Sequence, residues 1–169
     1  MERIIILERA AKSHFPIIKE IAYDTWPDTF GGILSEQQIS YMLVMMYDLE
    51  SLAHQTEVLG HQFILLKEQI DGQDKYWGYA AYELNCKEDT CKIHKIYLLP
   101  KCQGMGFGKR LLGYVEKESN INKNKFLTLN VNKYNKAVDF YLKYGFQIVG
   151  EEEIDIGNGF LMEDYVMRK

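Results

Sequence analysis

The chain has 169 residues, 47% hydrophobic and 26% charged, a composition that excludes a disordered chain and suits a single domain spanning 1–169. Twenty Lys and Arg against twenty-four Asp and Glu leave a formal charge of -4, which gives a nucleic-acid backbone nothing to hold and matches a cationic small molecule better. No run approaches the roughly 20 apolar residues of a membrane span, and three cysteines without CxxC spacing, with no histidine pair at zinc spacing, predict reduced thiols, no metal and a cytoplasmic protein.

Ile4, Ile5, Ile6 and Leu7 predict an opening strand, either covered on both faces or at a sheet edge. Ile17, Ile18, Ile21 and Ala22 then form a helical stripe expected to stop near Trp26, because Pro27 disfavours helix in the residue before it. Ser35 with Gln38 three residues on is a capping-box signature, and Ile39, Leu43, Met46 and Tyr47 continue one face of a second helix. From Gln62 the pattern changes to strand: 63–66 and 76–84 predict a hairpin whose turn is 71–74, Asp-Gly-Gln-Asp.

A third strand over 92–99 ends at Pro100, and after a glycine-rich loop Leu111, Leu112 and Val115 mark a helix. A strand over 128–131 precedes a helix over 135–144, with Val138, Tyr141 and Leu142 on one face and Gly145 as its stop. Two strands, 146–154 and 160–167, close the chain around the turn Gly157-Asn158-Gly159. Helices interspersed with strands in this order imply a mixed α/β sheet with helices on both faces.

The loop Gln103-Gly104-Met105-Gly106-Phe107-Gly108-Lys109 falls between a predicted strand and a predicted helix. Glycines there clear side chains from a ligand's path, and a helix amino end offers unpaired N–H groups and a positive dipole, which suits a diphosphate. It is not a Walker A loop, since Arg110 follows Lys109 where a hydroxyl is required, and Lys109 stands where a dinucleotide fingerprint needs its third glycine.

Gln103, Gly106 and Gly108 do fit Q/R-x-x-G-x-G/A, and the loop resembles the pyrophosphate motif of the GNAT acetyltransferase superfamily. The segment Leu129-Asn130-Val131 through Asn135, Ala137, Tyr141 and Gly145-Phe146 is similar to that family's L-x-V-x-x-x-N-x-x-A-x-x-x-Y-x-x-x-G-F block. Ile96-Tyr97-Leu98-Leu99-Pro100 resembles the strand leading into its cofactor site, so the likeness covers roughly residues 92 to 154. The resemblance implies a largely antiparallel central sheet of about six or seven strands with helices on both faces. It further implies transfer of an acetyl group from acetyl-CoA to a primary amine in a ternary complex, without a metal cofactor.

By that resemblance, the cofactor would be held by Ile96, Tyr97, Leu98, Gln103, Gly104, Met105, Gly106, Phe107, Gly108, Lys109, Asn132, Asn135 and Tyr141. Tyr141 would also donate a proton to the departing thiolate, the reading preferred here although its place on an apolar stripe also suits the core. The family's glutamate base has no counterpart in Lys92-Ile93-His94-Lys95-Ile96-Tyr97, which leaves His94 as the titratable candidate. Trp26, Asp28 and Phe30 would meet the acceptor, as aromatic and acidic groups suited to a cationic amine, or would cap the core. A small amine such as a polyamine or amino-acid derivative is the first expectation. A protein N-terminus or lysine, and a non-catalytic acyl-CoA-binding domain, are the alternatives, and a homodimer is a further implication of the likeness.

Overall fold

The computed structural model describes residues 2–169. Seven strands form one sheet in the order β1-β2-β3-β4-β5-β7-β6. These are β1 (Arg3–Arg9), β2 (Gln62–Ile70), β3 (Gln73–Lys87), β4 (Thr90–Leu98), β5 (Phe126–Asn132), β6 (Gln147–Gly157) and β7 (Phe160–Arg168). Every neighbouring pair is antiparallel except β4 with β5. The largely antiparallel seven-stranded sheet agrees with the expected architecture.

Five helices cover it: α1 (Phe15–Phe30), α2 (Glu36–Tyr47), α3 (Leu49–Glu57), α4 (Phe107–Ile121) and α5 (Ala137–Tyr144). On one face α4 and α5 bury Leu111, Leu112, Val115 and Tyr141 against Ile93, Leu129 and Val131. On the other, α1 to α3 bury Ile18, Trp26, Leu43 and Leu52 against Phe63, Leu65 and Tyr79. Alternate strand residues thus feed two cores, which is why 79–82 reads as an unbroken apolar run. No helix among the described residues is long and apolar enough to cross a membrane.

Four local expectations are corrected. Helix α1 does not stop at Trp26 but runs through Pro27 to Phe30, closing with Gly31 N–H on Pro27 O at 2.9 Å. Proline costs a helix interior about 3 kcal/mol, but Trp26 and Phe30 are both buried and pack on Tyr97, so burial holds the last turn in place. Ser35 Oγ accepts from Gln38 N at 3.1 Å as predicted, yet the Gln38 side chain reaches across to Leu161 O at 2.9 Å instead of completing the box. The first hairpin turns on Asp71 and Gly72 alone, since Gln73 already pairs with Ile70. Finally, α3 has no counterpart in the sequence reading. Only Leu52 and Gln55 of that helix are buried, so it carries no apolar stripe to detect.

Candidate active site

The only parallel pair among the described residues, β4 with β5, creates the opening. β4 and β5 pair from Thr90↔Phe126 to Ile93↔Leu129 and no further. On its other side β4 carries a bulge, because Lys95 pairs with Ala81 while Ile93 pairs with Tyr82, leaving His94 as the extra residue. Beyond this point the two strands part, and a groove of about 820 Å³ lies along the freed end of β4.

One wall of the groove is Ile96, Tyr97 and Leu98 of β4. Pro100 ends the strand and opens a short 3-10 turn (Pro100–Cys102), after which Gln103, Gly104, Gly106, Phe107, Gly108 and Lys109 line the groove up to the start of α4. Gly106 caps α4 with φ +79°, a left-handed conformation that favours glycine, and nothing lies within 4 Å of where its Cβ would stand. A Cβ on Gly108 would instead meet Phe140 at 3.2 Å and Leu98 at 3.7 Å, so this glycine lets α4 approach α5 and β4. No side chain caps α4. Its first-turn amides therefore have no side-chain acceptor, residues 106–109 line the groove at the positive end of the helix dipole, and Lys109 and Lys136 add positive charge at the lining. The polar cradle fits a diphosphate, while Leu98 and Phe140 fit the thin apolar arm of a cofactor.

The opposite wall is Tyr134, Asn135 and Lys136, then Ala137, Phe140 and Tyr141 of α5. Asn135 Oδ1 accepts from Ala137 N at 2.9 Å, fixing the entry to α5. Tyr141 is 7% exposed, and burial pushes its phenol above the ordinary range, so it stays protonated across neutral pH. The phenol is a weaker acid than a thiol of reference pKa near ~8.5. It can therefore hydrogen-bond a forming thiolate without surrendering its proton outright.

Several other sequence candidates stand elsewhere. Asn132 is buried beneath the loop, where its Oδ1 accepts from Tyr134 N at 2.9 Å, and Met105 is exposed outside the groove lining. Asp28 does line the groove, whereas Trp26 and Phe30 are core residues stacked behind Tyr97. His94 opens onto a different cavity, where its ring stacks on His61. Burial, reinforced by Lys92 and Lys95, lowers the pKa of His94 to about 4. Burial also lowers that of Lys95 to about 7.

Besides the lining residues Tyr134, Lys136, Ala137 and Phe140, a buried carboxyl group escaped the sequence reading. Asp164 on β7 is 7% exposed, with Oδ1 buried and unpartnered, and burial raises its pKa. It pairs in register with Asn132 on β5, past the point where β4 and β5 separate. An acidic residue in an alternating strand carries no signal of its own in the sequence.

Residues 33–169 match the model of the acetyltransferase (GNAT) domain. No curated protein matches the chain. Among solved structures, the PaiA N-acetyltransferase of Thermoplasma acidophilum in complex with coenzyme A is 23% identical over 98% of both chains, with a TM-score of 0.76. A GCN5-related N-acetyltransferase from Rhodopseudomonas palustris is 19% identical over 100% of this chain and 98% of that one, at 0.79. The structure of yncA from Salmonella typhimurium with its cofactor acetyl-CoA is 17% identical over 98% and 92%, at 0.64.

Proposed function

Because this chain belongs to the GNAT acetyltransferase family and works as an acetyl-CoA-dependent N-acetyltransferase, we propose that it acetylates the primary amine of a small cationic molecule, a polyamine or amino-acid derivative. The observation carrying this reading is the groove itself, with an uncapped helix start and the carboxylate of Asp28 both in its lining. Residues 1–169 act as one domain in it, in the cytoplasm, where thiols such as Cys86, Cys91 and Cys102 stay reduced.

In this reading the amides of Gly104, Gly106, Phe107, Gly108 and Lys109 bind the diphosphate, and the backbone of Ile96 and Leu98 binds the pantetheine arm as a further strand would. The thioester then lies in the gap where β4 leaves β5. An alkylammonium of reference pKa near ~10.4 must lose a proton before it can attack, which costs roughly 4 to 5 kcal/mol at pH 7 in water. Asp28 at the groove attracts the cation, and Asp164, whose buried Oδ1 has no hydrogen-bond partner, takes the proton. The nitrogen attacks the carbonyl carbon, the C–S bond breaks, Tyr141 hydrogen-bonds the departing thiolate, and the extra proton left on the new amide nitrogen passes to that sulfur. His94 is left out of the transfer because it faces the other cavity.

The test is release of coenzyme A thiol across a panel of polyamines, amino-acid derivatives and peptides. Small amines should accelerate release. Acceleration by peptides alone would overturn the small-amine assignment, and no uptake of acetyl-CoA in calorimetry would overturn the groove assignment.

A further inference from the structure

A second cavity, of about 540 Å³, is lined by Met45, His54 and Gln55 from the helices and by His61, His94 and Lys95 from the sheet side. Three side chains from separate stretches of chain meet here: His61 just ahead of β2, Glu83 on β3, and His94 at the β4 bulge. One donor atom of each lies within 4.8 Å of the other two. His94 Nε2 stands 3.2 Å and His61 Nε2 3.7 Å from Glu83 Oε1.

A purely structural role leaves His61 unexplained. Its side chain is 10% exposed, its Nδ1 is buried without a hydrogen-bond partner, and its Nε2 is too far from Glu83 for a good hydrogen bond. An unpaired buried polar atom costs about 1 to 3 kcal/mol. Two imidazoles and one carboxylate are, however, the donor set of zinc and its borderline neighbours when three protein ligands leave a fourth position to water. We infer that His61, Glu83 and His94 form a binding site for a divalent metal ion of the zinc class, separate from the acetyl-CoA groove, with its fourth position facing the cavity.

Binding requires one movement. The rings now stack with centroids 3.8 Å apart and planes 18° apart, whereas an ion shared by two imidazoles lies in the plane of both. His61 has no hydrogen bond to lose and turns about its Cβ–Cγ bond. With ligand bonds of about 2.0 to 2.2 Å, the donors then draw together by only about 1 Å. Glu83 supplies the compensating negative charge, while Lys95 on the same wall is engaged by Gln55 Oε1.

The full chain, freed of metal by a chelator, is titrated with Zn²⁺ in a calorimeter and with Co²⁺ followed by visible absorption. One Zn²⁺ per chain and an intense four- or five-coordinate Co²⁺ spectrum are expected. His61→Ala and Glu83→Gln should each weaken Zn²⁺ binding at least about tenfold, while His54→Ala, which alters the cavity but not the trio, should leave it unchanged. Acetyl-CoA affinity measured on the same samples reports folding and does not depend on the metal. Absence of Zn²⁺ uptake by the wild type, or uptake unchanged in His61→Ala, overturns the site. If a variant fails to fold, the wild-type Co²⁺ spectrum decides: weak six-coordinate bands overturn the site and intense ones support it.

Discussion

The acetyl-CoA groove and the histidine cavity share strand β4, yet each draws its groups from the chain differently. The groove takes most of its lining from two short stretches, 96–109 and 134–141, and the proposed grip on the diphosphate is made by main-chain amides. The trio at the cavity takes one residue each from the segment just ahead of β2, from β3 and from β4, and offers side-chain donors. A backbone site tolerates changes of side chain so long as φ and close approach are kept. A side-chain site fails with any one substitution but places little demand on the backbone. The two regions should therefore respond to opposite kinds of mutation.

The sharpest break is expected at Gly106→Val, which puts a β-branched residue at φ +79° and a side chain over the anion cradle. Acetyl-CoA affinity should fall roughly a hundredfold, with about 1 to 2 kcal/mol of stability lost to the left-handed conformation; calorimetry and thermal melting read the two effects. Full retention of affinity would mean that the amides of this turn do not hold the diphosphate.

Asp164→Asn should lower kcat about a hundredfold with acetyl-CoA affinity intact. In the wild type, kcat/KM for the amine should fall as pH drops through the raised pKa of Asp164, and the variant should lose this acid limb. The stability effect has the opposite sign. A carboxyl whose folded pKa is raised stabilises the fold below its unfolded pKa and loses that contribution as pH rises through the folded one. Asparagine escapes that loss, so the variant should melt higher than wild type at neutral pH, with the difference shrinking in acid. An unaltered pH profile would remove Asp164 from the chemistry.

Tyr141→Phe should lower kcat roughly ten- to hundredfold, the worth of a hydrogen bond to a charged group, with little change in acetyl-CoA affinity. A loss of affinity equal to the loss of rate would instead make Tyr141 a wall of the groove. The smallest effect is expected outside both regions. Ser35→Ala removes the cap of α2 and should cost about 1 kcal/mol in thermal stability without altering turnover.

The two regions also differ in how far they could be read in advance. Gln103, Gly106 and Gly108, with Asn135 and Tyr141, were legible because a strand-to-helix turn and a helix cap are built from residues adjacent in the chain. Strand ends marked by Pro100, Gly145 and Gly157-Asn158-Gly159 were legible for the same reason. His61 and His94 could not be paired along the chain, since each is brought to Glu83 by sheet register and by a bulge no residue type announces. Trp26 and Phe30 looked suited to a ligand, but packing on Tyr97 turns them into core.

Local sequence alone determined the alternation of helix and strand, the glycine turn and the family, because dihedral preferences, periodicity and caps act over a few residues. Tertiary structure alone decided that Pro27 stays inside a helix, that Asp164 buries an unpartnered Oδ1, and that two histidines come together beside one carboxylate. Those outcomes depend on what each side chain meets across the sheet, and burial energies of several residues together outweigh the preference of any one.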